Sequence, residues 1–99
     1  MMDSTLRIRL LLAMQTALLG RIIPNIRAVS CGVVGGDIKI KVIFDGAVSD
    51  LGREMIDEVG SEVASHFEDA NVDVECVRMD VPQKIRDKAL DWYVYLRKE

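Results

Sequence analysis

The first predicted element is a helix whose apolar residues fall on two separate sides. Ser4 is a suitable N-cap, Gly20 supplies a left-handed position at the C-terminal end, and Pro24 prevents the helix from continuing. With about 100° between successive residues, the apolar positions form one broad face and one narrower stripe. The broad face consists of Leu6, Leu10, Leu11, Ala13, Met14, Ala17 and Leu18, and the stripe of Ile8, Leu12 and Leu19.

This narrower stripe has two interpretations. A helix that is apolar all round is generally buried, which predicts a sheet on one side and the second helix or a loop on the other. The alternative is a surface that contacts a partner. The sequence favours burial and leaves the alternative open.

Two β-type segments follow and predict a hairpin. Residues 26–34 and 38–45 are rich in β-branched side chains, and Gly35 and Gly36 between them suit the positive φ angles of a tight turn. In the second segment, apolar residues alternate with Lys39 and Lys41. One face of the sheet is therefore expected to be buried and the other to face water.

Two more strands are predicted near the end of the chain. Residues 72–81 alternate between apolar and acidic side chains until Pro82, residues 82–91 form a polar connection, and residues 92–98 form a final strand. In that final strand, alternation predicts two sides. Trp92, Val94 and Leu96 are expected on one side, and Tyr93 and Tyr95 on the other.

Between the hairpin and these strands lies an acidic amphipathic helix. It is predicted to begin at Ser49 or Asp50, and Asn71 is a suitable end. Its inward side includes Gly52 and Gly60, which are expected to allow close packing. The carboxylates and the apolar residues occupy opposite faces of the helical wheel. The acidic face consists of Asp50, Glu54, Asp57, Glu58, Glu62, Glu68 and Asp69, and the apolar face of Met55, Ile56, Val59, Val63 and Phe67.

The order α-β-β-α-β-β predicts an α+β two-layer sandwich, with a four-stranded antiparallel sheet and two helices on one face. A right-handed crossover from the second strand to the third leaves two strand orders. The order 3-4-2-1, a circular permutation of the ferredoxin-like sandwich, is preferred over 2-1-3-4. Ninety-nine residues are expected to form a single domain, residues 1–99.

Charge is distributed unevenly along the chain. Residues 45–80 carry a net charge of −9, whereas residues 1–44 carry +4 and residues 81–99 carry +2, for −3 overall. No apolar run is long enough to span a membrane, and no signal-peptide cleavage site follows the first helix. Cys31 and Cys76 lie in separate β-type segments without a paired motif, which indicates free thiols and a cytoplasmic protein.

No catalytic motif or metal-ligand spacing is present, so the sequence predicts neither an enzyme nor a cofactor or metal site. His66, the single histidine, is expected at the helix boundary with its ring against core residues. Together with Cys31 and Cys76 it makes only a weak zinc candidate. Tyr93 and Tyr95 are suited to base stacking, but the net negative charge argues against direct nucleic-acid binding.

The acidic face of the second helix is the candidate binding surface. Like charges four residues apart repel each other, and few lysines separate them. A helix shaped only by solubility would mix both signs, whereas a carboxylate face can steer a cationic partner. The predicted partner-binding residues are Asp50, Glu54, Asp57, Glu58, Glu62 and Asp69.

Four segments carry a resemblance to known proteins: TALLGRIIPNIRAVSCG (16–32), KVIFDGAVSD (41–50), EVGSEVASHF (58–67) and VDVECVRMDVPQKI (72–85). Together they resemble a group of small bacterial immunity proteins of contact-dependent growth inhibition and related polymorphic toxin systems. The resemblance implies a cytoplasmic antitoxin that binds the toxic C-terminal domain of a delivered effector, typically a nuclease, and blocks its active site or substrate cleft.

The resemblance assigns no motif residues to toxin binding, so the residue-level prediction rests on charge. The competing hypothesis is a small regulatory or ligand-binding domain that dimerises through its first helix or a sheet edge. It depends on the second apolar stripe. An enzymatic function is the least favoured, because no nucleophile and base can be paired.

Overall fold

A computed structural model describes residues 4–99, with only the backbone described at Ser4, so the predicted side-chain cap there lies outside the described part. The predicted order of elements is confirmed. Residues 4–99 form two α-helices, four strands and one short 3-10 turn. They are α1 (Ser4–Leu18), β1 (Ile26–Val34), β2 (Asp37–Phe44), α2 (Asp50–Ala64), β3 (Val72–Arg78), the turn Arg86–Lys88 and β4 (Trp92–Leu96).

The four strands form one mixed sheet in the order β3-β2-β1-β4. β1 pairs antiparallel with β2 and β4, whereas β3 pairs parallel with β2. The α+β class is therefore confirmed, but the expectation of an antiparallel sheet and both predicted strand orders are wrong. The reason is the connection through α2: a strand–helix–strand unit returns the chain to the same end of the sheet, so β3 runs beside β2 in the same direction.

The hairpin between β1 and β2 is confirmed. Val34 pairs with Asp37, which leaves Gly35 and Gly36 as a two-residue turn. Both glycines have positive φ angles, 59° and 87°, as a type I′ turn requires. Residues with a side chain rarely adopt positive φ angles, so the two glycines determine the position of the hairpin turn.

Both helices cover one face of the sheet and share its main core. α1 supplies Leu10 and Met14, and α2 supplies Ile56, Val59 and Val63, all with side chains almost completely buried. The sheet contributes alternate residues from its two central strands. These are Ile26, Val29 and Cys31 from β1, and Ile38, Ile40, Val42 and Phe44 from β2.

The opposite face of the sheet is partly covered, contrary to the expectation of a fully wet face. β3 and β4 lie at opposite edges, so residues 79–91 must cross the sheet to connect them. Met79 and Ile85 of this crossing segment pack with Ala28 and Ile43 in a second, smaller core. The backbone N–H of Leu90 also donates to Ser30 Oγ at 2.9 Å.

The final strand departs from simple alternation. The pairing between β1 and β4 contains a β-bulge: where β1 advances by one residue, from Val29 to Ser30, β4 advances by two. Trp92, Val94 and Tyr95 consequently pack against the main core. The predicted grouping of Leu96 with Trp92 and Val94 is wrong, because Leu96 is 59% exposed and Tyr95 packs against the core in its place.

A buried arginine joins β1 to the end of the chain. Arg27 lies at a bulge of β1 and is only 3% exposed. Its guanidinium donates to both carboxylate oxygens of Glu99, at 2.7 and 2.8 Å, and to the backbone carbonyl of Met79 at 2.6 Å. Hydrogen bonds from Arg27 and then Arg97 lower the pKa of Glu99 to about 2.

Candidate partner-binding surface

Helix α2 carries five of the six predicted binding residues, and the local sequence explains how the helix is positioned. Ser49 is the N-cap, because its side chain accepts a hydrogen bond from the Gly52 N–H at 3.0 Å. Gly60 faces β3, where a Cβ atom would come within 2.6 Å of Val74 Cγ2. The predicted packing role is confirmed for Gly60, which lets α2 lie close against β3. At Gly52, a Cβ atom would lie 3.1 Å from the capping Ser49 Oγ and only in ordinary contact with Phe44 of the sheet, at 3.6 Å.

The structure divides the six predicted binding residues into three groups. Asp50, Glu54 and Asp57 are exposed on α2 and have no ion-pair partner within residues 4–99. Glu58 and Glu62 follow on the same helix but are ion-paired. Asp69 is not on the helix, because α2 ends at Ala64 and the residues after it form turns. The predicted extension of the acidic face to Glu68 and Asp69 is therefore wrong.

Arg21 neutralises part of the acidic face. It lies just after α1 and reaches α2, with Nε 3.5 Å from Glu58 Oε1 and Nη1 3.1 Å from Glu62 Oε1. The same Nη1 donates to the Ala17 carbonyl at 2.7 Å, which anchors the guanidinium to the end of α1. This contact was not predictable from the sequence pattern, since Arg21 and the glutamates are about forty residues apart.

The remaining acids of the strongly negative stretch are directed elsewhere. Asp45 pairs with Arg97 at 3.2 Å, Asp80 pairs with Arg78 at 2.9 Å, and Asp73 pairs with Lys39 across the parallel strands β2 and β3. Hydrogen bonds from Arg78 and from the Gly46 N–H lower the pKa of Asp80. In the described structure, the acids of residues 45–80 that form no ion pair are Asp50, Glu54 and Asp57 on α2, Glu68 and Asp69 after it, and Glu75 on β3.

The second apolar stripe of α1 is exposed. Ile8 is 56%, Leu12 59% and Leu19 72% accessible to solvent. The favoured interpretation, burial on both sides of α1, is wrong, because the sheet and α2 cover only the broad apolar face. The stripe therefore remains uncovered in the isolated chain, as the alternative interpretation predicts.

A groove lies next to this stripe, between α1 and the C-terminal end of α2. It has a volume of about 300 Å³ and is lined by Leu12, Ala13 and Thr16 on α1 and by His66 and Phe67 beyond α2, with Arg9 at one end. Arg9 Nη2 donates to the His66 carbonyl at 3.0 Å, and its guanidinium lies 4.8 Å from the centre of the Phe67 ring. These contacts fix the two sides of the groove to each other.

The structure does not assemble the candidate zinc ligands. Cys31 is buried in the main core, where burial raises the pKa of its thiol to about 11. Cys76 is half-buried on β3, and His66 is exposed beyond α2 rather than packed against core residues as predicted. In the described part of the chain, no group of three His, Cys, Asp or Glu side chains is placed to hold a metal ion.

Most of the chain matches a known protein family. Residues 7–99 match the family model described as MafI2 immunity protein. No curated protein shows a significant match to the chain. Among residues 4–99, no helix has the length and apolar character that are needed to cross a membrane.

Proposed function

The chain belongs to the MafI2 immunity protein family, and we propose that it binds the toxic C-terminal domain of a cognate effector and neutralises it by covering the active site or substrate cleft. The action is stoichiometric binding in the cytoplasm, without catalysis. The protein needs no cofactor for it, since complementary surfaces suffice to block a cleft.

The observation that carries the residue-level proposal is the row of unpaired carboxylates on α2. Asp50, Glu54 and Asp57 form no ion pair in the described structure, although Arg53 lies on the same helix. Charged residues that face only water contribute little to stability, and like charges one helical turn apart oppose it. A cationic partner removes this repulsion and gains charge pairs that are partly shielded from water.

A nuclease is the toxin class that fits this surface best. An enzyme that holds RNA or DNA carries basic residues along its cleft to neutralise phosphates. Carboxylates presented at successive turns of a rigid helix offer the same sign of charge to that cleft. Glu58 and Glu62 extend the row, and their contacts with Arg21 hold both side chains in place.

If charge steers the association, the association rate must depend on salt concentration. Measuring that dependence tests the proposal directly. We expect the association rate with the toxin domain of the cognate effector to fall about tenfold or more between about 50 mM and 500 mM salt, with a smaller change in dissociation rate. Stopped-flow mixing of the purified proteins measures both rates. An association rate that is unchanged by salt, or the absence of binding, would contradict the proposal.

A further inference from the structure

The exposed apolar stripe of α1 has no explanation in the stability of the isolated chain. Ile8, Leu12 and Leu19 recur on one side of the helix, and each exposes more than half of its surface. Single exposed apolar residues are ordinary, but a row of them along one helix face is typical of a contact surface. The carboxylates proposed to bind the toxin lie on α2, so they do not account for this exposed surface on α1.

The groove between the helices adds shape to the stripe. Leu12 belongs to both, so an apolar side chain seated in the groove would also contact the stripe. The walls are held by the Arg9 hydrogen bond to the His66 carbonyl and by its stacking on Phe67. A prearranged groove loses little conformational freedom on binding, which favours a tight contact.

We infer that the stripe and the groove form the apolar anchor of the interface with the toxin, while the carboxylates of α2 form its charged border. The inference rests on the proposed function and specifies the partner's surface. The toxin domain presents an exposed aliphatic or aromatic side chain to the groove, with lysine or arginine residues beside it that face α2. Interfaces of this kind concentrate binding energy in a few apolar anchors surrounded by polar contacts.

Charge and area favour such a partner over a second copy of the chain. Three partly exposed side chains provide only part of the roughly 800 Å² that each side of a standard interface buries. A partner that covers the stripe must therefore extend over its surroundings, and toward α2 these include Glu58 and Glu62 beside Arg21. Farther along α2 lie Asp50, Glu54 and Asp57, which form no ion pair in the described structure. A basic partner would pair with these carboxylates, whereas a second copy would bring more of them.

The test replaces apolar residues of the anchor with polar ones and leaves the net charge of the protein unchanged. The double variant Ile8→Gln with Leu12→Gln keeps good helix formers on the surface of α1, so the fold is expected to persist. We expect its Kd for the toxin domain to rise about 30-fold, as for loss of an interface anchor. Leu96→Gln is the matched control, because Leu96 is as exposed as Leu12, at 59%, but lies on β4. Its Kd is expected to stay within about twofold of the wild type.

The outcomes separate this inference from the proposed function. If the wild type binds the toxin domain and the double variant and Leu19→Gln bind equally well, the anchor is wrong and the proposed function stands. If the wild type does not bind, both are wrong. Sedimentation tests the other occupant: a wild-type dimer that Leu12→Gln converts to monomers would assign the stripe to a second copy and overturn the inference.

Discussion

Replacing Asp50, Glu54 and Asp57 together with lysine is expected to raise the Kd for the toxin domain by about 10³-fold or more. Close charge pairs at protein interfaces contribute about 1.5 kcal/mol or more each, so losing three of them costs about 4.5 kcal/mol. The three new lysines would also repel a basic cleft. Isothermal titration calorimetry or competition binding measures the change, and the variant should also fail to protect cells that express the toxin.

A control variant with the same change in net charge separates the effect of where the charges lie from the effect of net charge alone. Glu75, Asp87 and Asp91 are exposed and have no ion-pair partner among the described residues. Glu75 pairs in register with Lys41 on β2, and Asp87 belongs to the segment that crosses the opposite face of the sheet. Lysine at these three positions should change Kd much less. If both triple variants weaken binding equally, only overall charge matters and the α2 surface has no special role.

Replacing Arg27 with methionine is expected to lower the free energy of unfolding by about 3 kcal/mol, near the lower limit for breaking a buried ion pair. The change leaves the Met79 carbonyl without its donor and frees Glu99, which is 31% exposed and can turn toward water. Methionine fills much of the arginine volume, so the loss reports the polar contacts rather than a cavity. Urea unfolding followed by circular dichroism measures the difference.

Arg78→Met is the matched control for Arg27→Met. Arg78 pairs with Asp80, but its side chain is 58% exposed, so the pair is already largely solvated. Its loss should cost less than about 1 kcal/mol. Equal destabilisation by the two substitutions would show that the burial of Arg27 is not what makes its contacts important.

Periodicity was sufficient to predict the individual elements of this fold. Strands that alternate and helices with one broad apolar face mark their own positions, and Gly35 and Gly36 mark the hairpin turn. Pairing of β3 was not predictable in the same way. Its exposed residues alternate as they would in an antiparallel sheet, because β3 is an edge strand with one partner, and alternation carries no information on direction.

The candidate surface could be predicted only in part, because helical geometry relates residues within one helix but not contacts between separate elements. Helical geometry correctly places Asp50, Glu54 and Asp57 together, since they lie on one continuous helix. Arg21 could not be assigned to Glu58 and Glu62, because that contact depends on how α1 lies against α2. Burial of Arg27 was equally hidden, since charged residues are rarely buried and its partners come from distant segments of the chain.

Whether the apolar stripe is exposed depends on how the helices and the sheet pack together. The sequence places Ile8, Leu12 and Leu19 on one side of α1, and general experience with apolar helices favours their burial. Four strands and two helices provide only two layers, so α1 has one covered side and one open side. The open side is the observation from which the apolar anchor of the interface is inferred.

Methyl cross-saturation in the complex with the toxin domain tests most directly whether the toxin covers the outer face of the two helices. Exposed aliphatic residues lie on both sides of the molecule and serve as reporters. Saturating the toxin should reduce the methyl signals of Ile8, Leu12, Leu19 and Leu51 and leave those of Val34, Val81 and Leu96 unchanged. Loss of signal at Val34, Val81 and Leu96, with the helical methyls unaffected, would contradict the account.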